Sequence, residues 1–254
     1  MIGMQKDVPG FGAPRTGLVL EYLHALLDDG PVDDALLARL QTPEVAAERI
    51  AIATRLRDND WADLGRYERE NAEIVASRQR PEIVFMGDSI TEMWGHADPE
   101  LFGPGRVCRG IAGQTTPQML LRFQADVIAL RPRVLHLMGG GNDIVGNTGP
   151  TTLRRVQDHF RAMTDLATCH GIRVILGGLT PSKFSRPDAP QKHWVAELDA
   201  WLRELARDRG CTFVDYFAPL RDSEGAMRLE FGNDEVHPNR RGYAVMRAAL
   251  EPAL

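Results

Sequence analysis

Four short motifs in this 254-residue sequence carry side chains that could together perform acyl transfer. They are Gly87-Asp88-Ser89, Gly110-Ile111-Ala112-Gly113, Gly140-Gly141-Asn142-Asp143 and Asp234-Glu235-Val236-His237. A serine hydroxyl becomes a useful nucleophile when a histidine takes its proton and a carboxylate holds that histidine in one tautomer. We therefore predict that Ser89 is the nucleophile, His237 the general base and Asp234 the carboxylate that orients it.

The same motifs hold donors for the oxyanion of a tetrahedral intermediate. We expect the backbone N–H groups of Ser89 and Gly113 and the side-chain amide of Asn142 to form this oxyanion hole, because a neutral amide donates a hydrogen bond without adding a charge. Asp143 is expected to order the loop. Taken alone, Asp88-Ser89 fits a turn or a helix cap equally well, so the prediction depends on all four motifs.

Two local features argue against the α/β-hydrolase arrangement of the same chemistry. Ser89 lacks the second glycine of a Gly-x-Ser-x-Gly nucleophile elbow. Asp234 and His237 are separated by only two residues, so that one loop can present both. A substrate pocket near the serine is predicted to draw on Asp88, Met93, Trp94, Phe184 and Trp194, although such residues often serve packing alone.

Short apolar runs alternate with longer helical stretches from residue 82 onward, which predicts a parallel sheet with helices on both faces. Strands are predicted at Ile83–Met86, Arg106–Cys108, Val134–Met138, Arg173–Leu176 and Thr212–Asp215, and helices at 116–130, 152–169, 192–209 and 240–250. Each predicted site residue follows one of these strands. Because ligands of such sheets bind outside the carboxyl ends of the strands, the four motifs should converge.

These motifs resemble the SGNH or GDSL hydrolases, a family named for its catalytic Ser, Gly, Asn and His. The segment Gly110-Ile111-Ala112-Gly113-Gln114-Thr115-Thr116 is most similar to bacterial relatives of the platelet-activating-factor acetylhydrolase catalytic subunits, and the resemblance runs from about Asp60 to the C-terminus. It implies a flavodoxin-like three-layer α/β/α sandwich with a five-stranded parallel sheet. It also implies a cofactor-free esterase or acylhydrolase for short acyl groups, acetyl above all.

Three other functions stay open at the level of the sequence. A thioesterase or a lysophospholipase would use the same residues, and a non-catalytic scaffold would need none of them. The dependence of the rate on acyl-chain length would distinguish a short-chain esterase from a thioesterase or a lysophospholipase. Loss of activity on replacing Ser89 would distinguish an enzyme from a scaffold.

Residues 1–58 precede the predicted hydrolase domain, 59–254, and carry their own helical patterns. Val45, Ile52 and Leu56 share one helical face, and Asp58-Asn59-Asp60 is expected to cap a helix that starts at Trp61. We expect this helical extension to pack on the domain. A homodimer or higher oligomer through these helices is the second expectation, because short amphipathic helices need a surface to cover.

Composition limits the partners that this chain can have. The net charge of −5 argues against nucleic acid, which requires clustered Lys and Arg. No apolar run is long enough for a membrane span, no signal peptide precedes the first helical pattern, and the expected location is the cytoplasm. No Cys or His spacing fits a metal site. The three cysteines are predicted to be buried thiols, and His136 to lie in the core.

Overall fold

A five-stranded parallel sheet forms the centre of the computed structural model, which describes residues 17–28 and 30–254. The strands are β1 (Ile83–Gly87), β2 (Arg106–Gly110), β3 (Val134–Leu137), β4 (Arg173–Gly177) and β5 (Thr212–Val214). Their order is β2-β1-β3-β4-β5, and every neighbouring pair is parallel. The five predicted strands are confirmed to within a residue or two at each end.

The register aligns the strand ends that carry the motifs. Gly87 at the end of β1 pairs with Gly110 at the end of β2, and Met86 pairs with Leu137 of β3. The loops after these three strands therefore leave the sheet at the same level.

Helices cover both faces of the sheet. In chain order they are α1 (Gly17–Leu27), α2 (Asp34–Leu40), α3 (Pro43–Asn59), α4 (Glu68–Ser77), α5 (Ser89–Ala97), α6 (Thr116–Phe123), α7 (Gly141–Ile144), α8 (Leu153–Cys169), α9 (Lys192–Arg209), α10 (Phe217–Leu220) and α11 (Arg240–Leu250). The predicted helices over 152–169, 192–209 and 240–250 are confirmed. The one over 116–130 is α-helical only to Phe123 and continues as a π-helical turn through Gln124–Ile128.

Alternate strand residues build two separate cores, as the strand period of two requires. Val84 and Met86 of β1 pack with residues of α6, α8 and α9 on one face. Ile83 and Phe85 pack with residues of α1, α5 and α11 on the other. This is the expected three-layer α/β/α sandwich.

The N-terminal helices differ in how they contact the domain. Helix α1 inserts Leu23, Leu26 and Leu27 into the core that includes α5 and α11. Helix α3 has no buried residue. The part of the predicted extension at 1–16 lies outside the described residues.

The predicted helix start at Trp61 is wrong. Asp60 does act as a cap, but its carboxylate accepts the N–H groups of Leu64 and Gly65 at 2.9 and 3.1 Å. A short 3₁₀ helix, Leu64–Tyr67, therefore begins three residues later and leads into α4.

His136 is fully buried in β3, as predicted, and burial lowers its pKa to about 3. The prediction of three buried cysteines is wrong for Cys169, which is exposed at the end of α8, while Cys108 and Cys211 are half-buried. Within residues 17–28 and 30–254, no helix combines the length and apolar character needed to cross a membrane.

Candidate active site

Ser89 lies directly beyond the buried strand β1. Asp88 caps α5 by accepting the N–H of Ile90 at 3.0 Å, which makes Ser89 the first helical residue. The turn requires glycine at position 87, since a Cβ there would lie 2.0 Å from the hydroxyl oxygen of Thr91. The serine is thus held at the carboxyl edge of the sheet, and its N–H is one that the helix leaves without an internal partner.

Asp234 and His237 reach Ser89 from a single loop. Oδ2 of Asp234 lies 2.6 Å from Nδ1 of His237, and Nε2 of His237 lies 2.9 Å from Oγ of Ser89. The other carboxylate oxygen of Asp234 accepts the backbone N–H groups of Val236 and His237 at 3.0 and 2.7 Å. With the proton of His237 on Nδ1, Nε2 is free to accept the serine proton.

Electrostatics keeps the Asp234 carboxylate ionised. Burial acts to raise its pKa, but the hydrogen bonds from the His237 ring and from the N–H groups of His237 and Val236 outweigh burial, and the pKa is lowered. An ionised carboxylate is the form that stabilises a developing imidazolium.

Gly113 and Asn142 lie next to each other on two loops. Gly113 follows β2 with φ of +81°, a left-handed conformation that suits glycine. Among the hydrogen bonds of the described residues, none uses its N–H. The amide nitrogen of Asn142 lies 3.0 Å from the carbonyl oxygen of Gln114 and 3.3 Å from Oδ2 of Asp88.

The loop that carries Gly113 is supported by buried charges that the sequence analysis missed. The buried Glu92 carboxylate accepts the N–H of Ala112 at 2.6 Å. The buried Arg122 guanidinium donates to the side chain of Gln114 at 2.5 Å and to the carbonyl of Gly87 at 2.9 Å. Arg122 and Asp126, four apart in a helical segment that is otherwise uncharged, were the available signal; they form a buried ion pair at 2.7 Å.

Asp143 orders the loop after β3, as expected. Its carboxylate accepts the N–H of Thr116 at 2.9 Å and the hydroxyl of Thr116 at 2.6 Å. Burial raises the pKa of Asp143 despite these hydrogen bonds.

The three glycines before Asn142 differ in what they require. Gly140 has φ of +100°, and a Cβ there would lie 2.8 Å from Cδ2 of Leu198. A Cβ at Gly139 would lie 3.0 Å from the sulfur of Met119, whereas one at Gly141 would meet no atom within 4 Å. The loop that presents Asn142 is therefore packed closely at its first two glycines.

A cleft beside Ser89 has mostly apolar walls. Its apolar side chains are Ile90, Met138, Ile144, Val145, Leu179, Phe184, Val195 and Val236, and its polar ones are Asp88, Ser89, Asn142, Thr180 and Ser182. The predictions for Asp88 and Phe184 agree with this lining. The segment with Phe184 is tied to the His237 loop, because the N–H of Lys183 donates to the carbonyl of Glu235 at 2.9 Å and Arg186 pairs with Glu235 at 2.5 Å.

Three predicted pocket residues lie elsewhere. Met93 and Trp94 are fully buried in the core, where Trp94 packs against Phe85 and Tyr243, because α5 turns that face toward the sheet and α11. Trp194 packs against the opposite core cluster, and its neighbour Val195 is the α9 residue that faces the cleft.

In the part of the chain that the structure describes, His, Cys, Asp and Glu side chains form no group of three or more suited to a metal ion.

Comparison with known proteins gives one family. The sequence profile of the GDSL-like lipase/acylhydrolase family matches residues 85–245. No curated protein matches the chain.

Solved structures agree with that profile. A Bacteroides fragilis protein assigned as an acylhydrolase is 38% identical, with a TM-score of 0.70 over 77% of this chain and 97% of that one. A GDSL-like lipase from Bacteroides thetaiotaomicron is 32% identical, with a TM-score of 0.70 over 76% and 98%. An acetylxylan esterase from Geobacillus stearothermophilus shares the fold at 20% identity, with a TM-score of 0.58 over 66% and 92%.

Proposed function

This chain belongs to the GDSL-like lipase/acylhydrolase family, and on that premise we propose that it is a serine esterase that cleaves short-chain carboxylic esters, acetyl esters above all. The observation that carries the proposal is the continuous contact from Asp234 to His237 at 2.6 Å and from His237 to Ser89 at 2.9 Å. This contact gives a serine at the edge of a cleft the base that it needs.

The first half of the proposed reaction forms an acyl-enzyme. Oγ of Ser89 attacks the ester carbonyl carbon while Nε2 of His237 takes the hydroxyl proton. The negative charge on the carbonyl oxygen is held by the N–H groups of Ser89 and Gly113 and by the Asn142 amide. When the tetrahedral intermediate collapses, the alcohol leaves with the proton from His237.

The second half repeats these steps with water. His237 removes a proton from the water as its oxygen attacks the acyl carbon, and the same three donors hold the second oxyanion. Collapse releases the carboxylic acid and returns the proton to Ser89. No cofactor takes part in the proposed cycle.

Acetyl esters are the first substrates to test, because the acetylxylan esterase with the same fold acts on acetyl groups. The apolar lining of the cleft, with Leu179, Phe184, Val195 and Val236, favours a second candidate, a thioesterase or lysophospholipase that takes a longer chain.

The test is hydrolysis of p-nitrophenyl esters from acetate to dodecanoate by the native chain and by Ser89→Ala. We expect the rate to fall for chains longer than butyrate and to vanish in Ser89→Ala and nearly vanish in His237→Ala. Ser182→Ala is the matched control, because Ser182 lines the same cleft without contacting His237.

A rate that rises with chain length would favour the second candidate. Retained activity in Ser89→Ala would refute the proposed nucleophile, and absence of activity on every ester and thioester would favour a scaffold.

We also propose that two chains associate through α3, whose 17 residues include none that is buried. An isolated helix of this length is marginally stable in water, and a partner surface would stabilise it. Ile50 is 67% exposed, so Ile50→Arg should reduce the molar mass measured by light scattering to that of one chain. A native chain that is already monomeric would rule the dimer out.

A further inference from the structure

The side chain of Asn147 connects the two loops that carry the proposed oxyanion donors. Its amide nitrogen donates to Oδ1 of Asn142 at 2.8 Å and to the carbonyl oxygen of Gly113 at 3.1 Å. Asn147 lies at the surface, five residues beyond Asn142, and its own N–H donates to the carbonyl of Asn142 at 3.0 Å. One exposed amide therefore contacts both donor residues without lining the cleft.

This contact sets which end of the Asn142 amide faces Asp88, the residue before Ser89. With the Asn147 NH₂ group against Oδ1 of Asn142, the NH₂ group of Asn142 faces Asp88 and the carbonyl of Gln114, which accept hydrogen bonds. A flipped Asn142 would place two NH₂ groups against each other and its oxygen against two acceptors. Only the observed orientation keeps the NH₂ group of Asn142 beside Asp88, the residue before the proposed nucleophile.

The loop around the Gly113 N–H is held on both sides. Upstream, the N–H of Ala112 donates to the buried Glu92 carboxylate at 2.6 Å. Downstream, the carbonyl of Gly113 accepts from Asn147 at 3.1 Å. These two bonds hold the peptide groups on either side of the one that carries the Gly113 N–H, and so restrain the loop around it.

We propose that Asn147 is a positioning residue of the oxyanion hole, which orients the Asn142 amide and ties it to the loop that carries Gly113 through one side-chain amide. The inference rests on the proposed esterase function. Because both halves of that reaction pass through an oxyanion, Asn147 should affect kcat whichever half is slower, and it should affect KM little.

The test compares three variants with p-nitrophenyl acetate as substrate. Removing an oxyanion donor costs about 10² to 10³ in turnover, and misalignment should cost less, so we expect kcat of Asn147→Ala to fall by about 10-fold to 100-fold. Phenylboronic acid forms a tetrahedral adduct with a catalytic serine. Its inhibition constant should therefore rise in Asn147→Ala as kcat falls. Thr148→Ala is the matched control, because the Thr148 hydroxyl in the same turn bonds the hydroxyl of Thr115 at 3.1 Å and, among the described residues, neither Asn142 nor Gly113.

Asn147→Asp gives a pH dependence of kcat that a purely structural role of Asn147 would not produce. An ionised carboxylate cannot donate and faces two oxygen acceptors, so kcat should fall further than in Asn147→Ala. A protonated carboxyl regains one donor, and the ratio of variant to native kcat should therefore rise as the pH is lowered from 8 to 5.

Three results would overturn the inference while leaving the esterase intact: native kcat and native boronic acid inhibition in Asn147→Ala, an equal loss in Thr148→Ala, or a flat pH ratio in Asn147→Asp. A native chain without Ser89-dependent turnover would instead overturn the proposed function, and the inference with it. Melting temperatures of the variants check that the fold is retained. We expect it to be retained, because Asn147 is exposed.

Discussion

At the scale of single residues, the orientation of His237 depends on a carboxylate only three positions away. Asp234→Asn would keep the oxygen that accepts the Val236 and His237 N–H groups. Its new NH₂ group would face Nδ1 of His237 and move the ring proton to Nε2, where it blocks transfer from Ser89. We expect kcat to fall by up to about 10⁴-fold with an unchanged circular dichroism spectrum. A loss under tenfold would show that His237 needs no such partner.

Asp88 makes the stability of the fold depend on pH. Burial raises its pKa from the ordinary 3.8 to about 6, so the folded chain binds the proton more tightly than the unfolded chain. The stability from this group is complete below pH 3.8 and is lost as the pH rises through 6.

Asp88→Asn should remove that dependence. Relative to the native chain, its free energy of unfolding in urea should increase by about 2 to 3 kcal/mol between pH 4 and pH 8. Asn retains a side-chain oxygen that can cap α5. A stability difference that is the same at both pH values would contradict the raised pKa.

The sequence predicts Ser89, Gly113, Asn142, Asp234 and His237 as candidate site residues because each lies in a local motif. It missed Glu92, Arg122 and Asn147, because their partners lie in other loops and no local sequence pattern indicates such a contact. Met93 and Trp94 were misplaced for a related reason: helical periodicity shows that α5 has an apolar face, but not whether that face meets the cleft or the core.

At the scale of elements, the glycine turn that begins α7 should tolerate a side chain at Gly141 but not at Gly140. Gly140→Ala should destabilise the chain and lower kcat, since φ of +100° and the 2.8 Å approach to Leu198 both oppose a Cβ. Gly141→Ala, in open space and inside α7, should raise the free energy of unfolding by about 0.5 to 1 kcal/mol with unchanged kcat. Thermal unfolding and turnover of both variants measure this, and equal effects would contradict it.

Strands and long helices were predictable from the sequence because their apolar periods are regular. The π-helical turn after α6 was not predictable from the sequence. It coincides with the buried hydrogen bonds of Asp126 to Arg122 and to Asn71, and Asn71 lies 55 residues from Asp126 along the chain. The 3₁₀ start after Asp60 was likewise decided by which N–H groups its carboxylate reaches.

At the scale of the whole molecule, α1 should contribute to the free energy of unfolding of the sandwich, whereas α3 should contribute little. Leu27 is completely buried in the core beside α5 and α11, whereas Ile50 of α3 is 67% exposed. Leu27→Ala should therefore cost about 2 to 5 kcal/mol in urea unfolding, and Ile50→Ala no more than about 0.5 kcal/mol at chain concentrations too low for the proposed dimer. Similar costs would contradict this division of the N-terminal helices.

The two bonds between the Phe184 segment and Glu235 have a consequence for how such an enzyme could evolve. The wall that contacts a substrate and the loop that carries His237 are fastened together through Lys183 and Arg186. A mutation that reshapes this wall for a new substrate will also move the proton acceptor. Selection for altered specificity should then pass through slower variants, and recovery of speed should come from second mutations at Arg186 and Glu235, whose side chains form the ion pair.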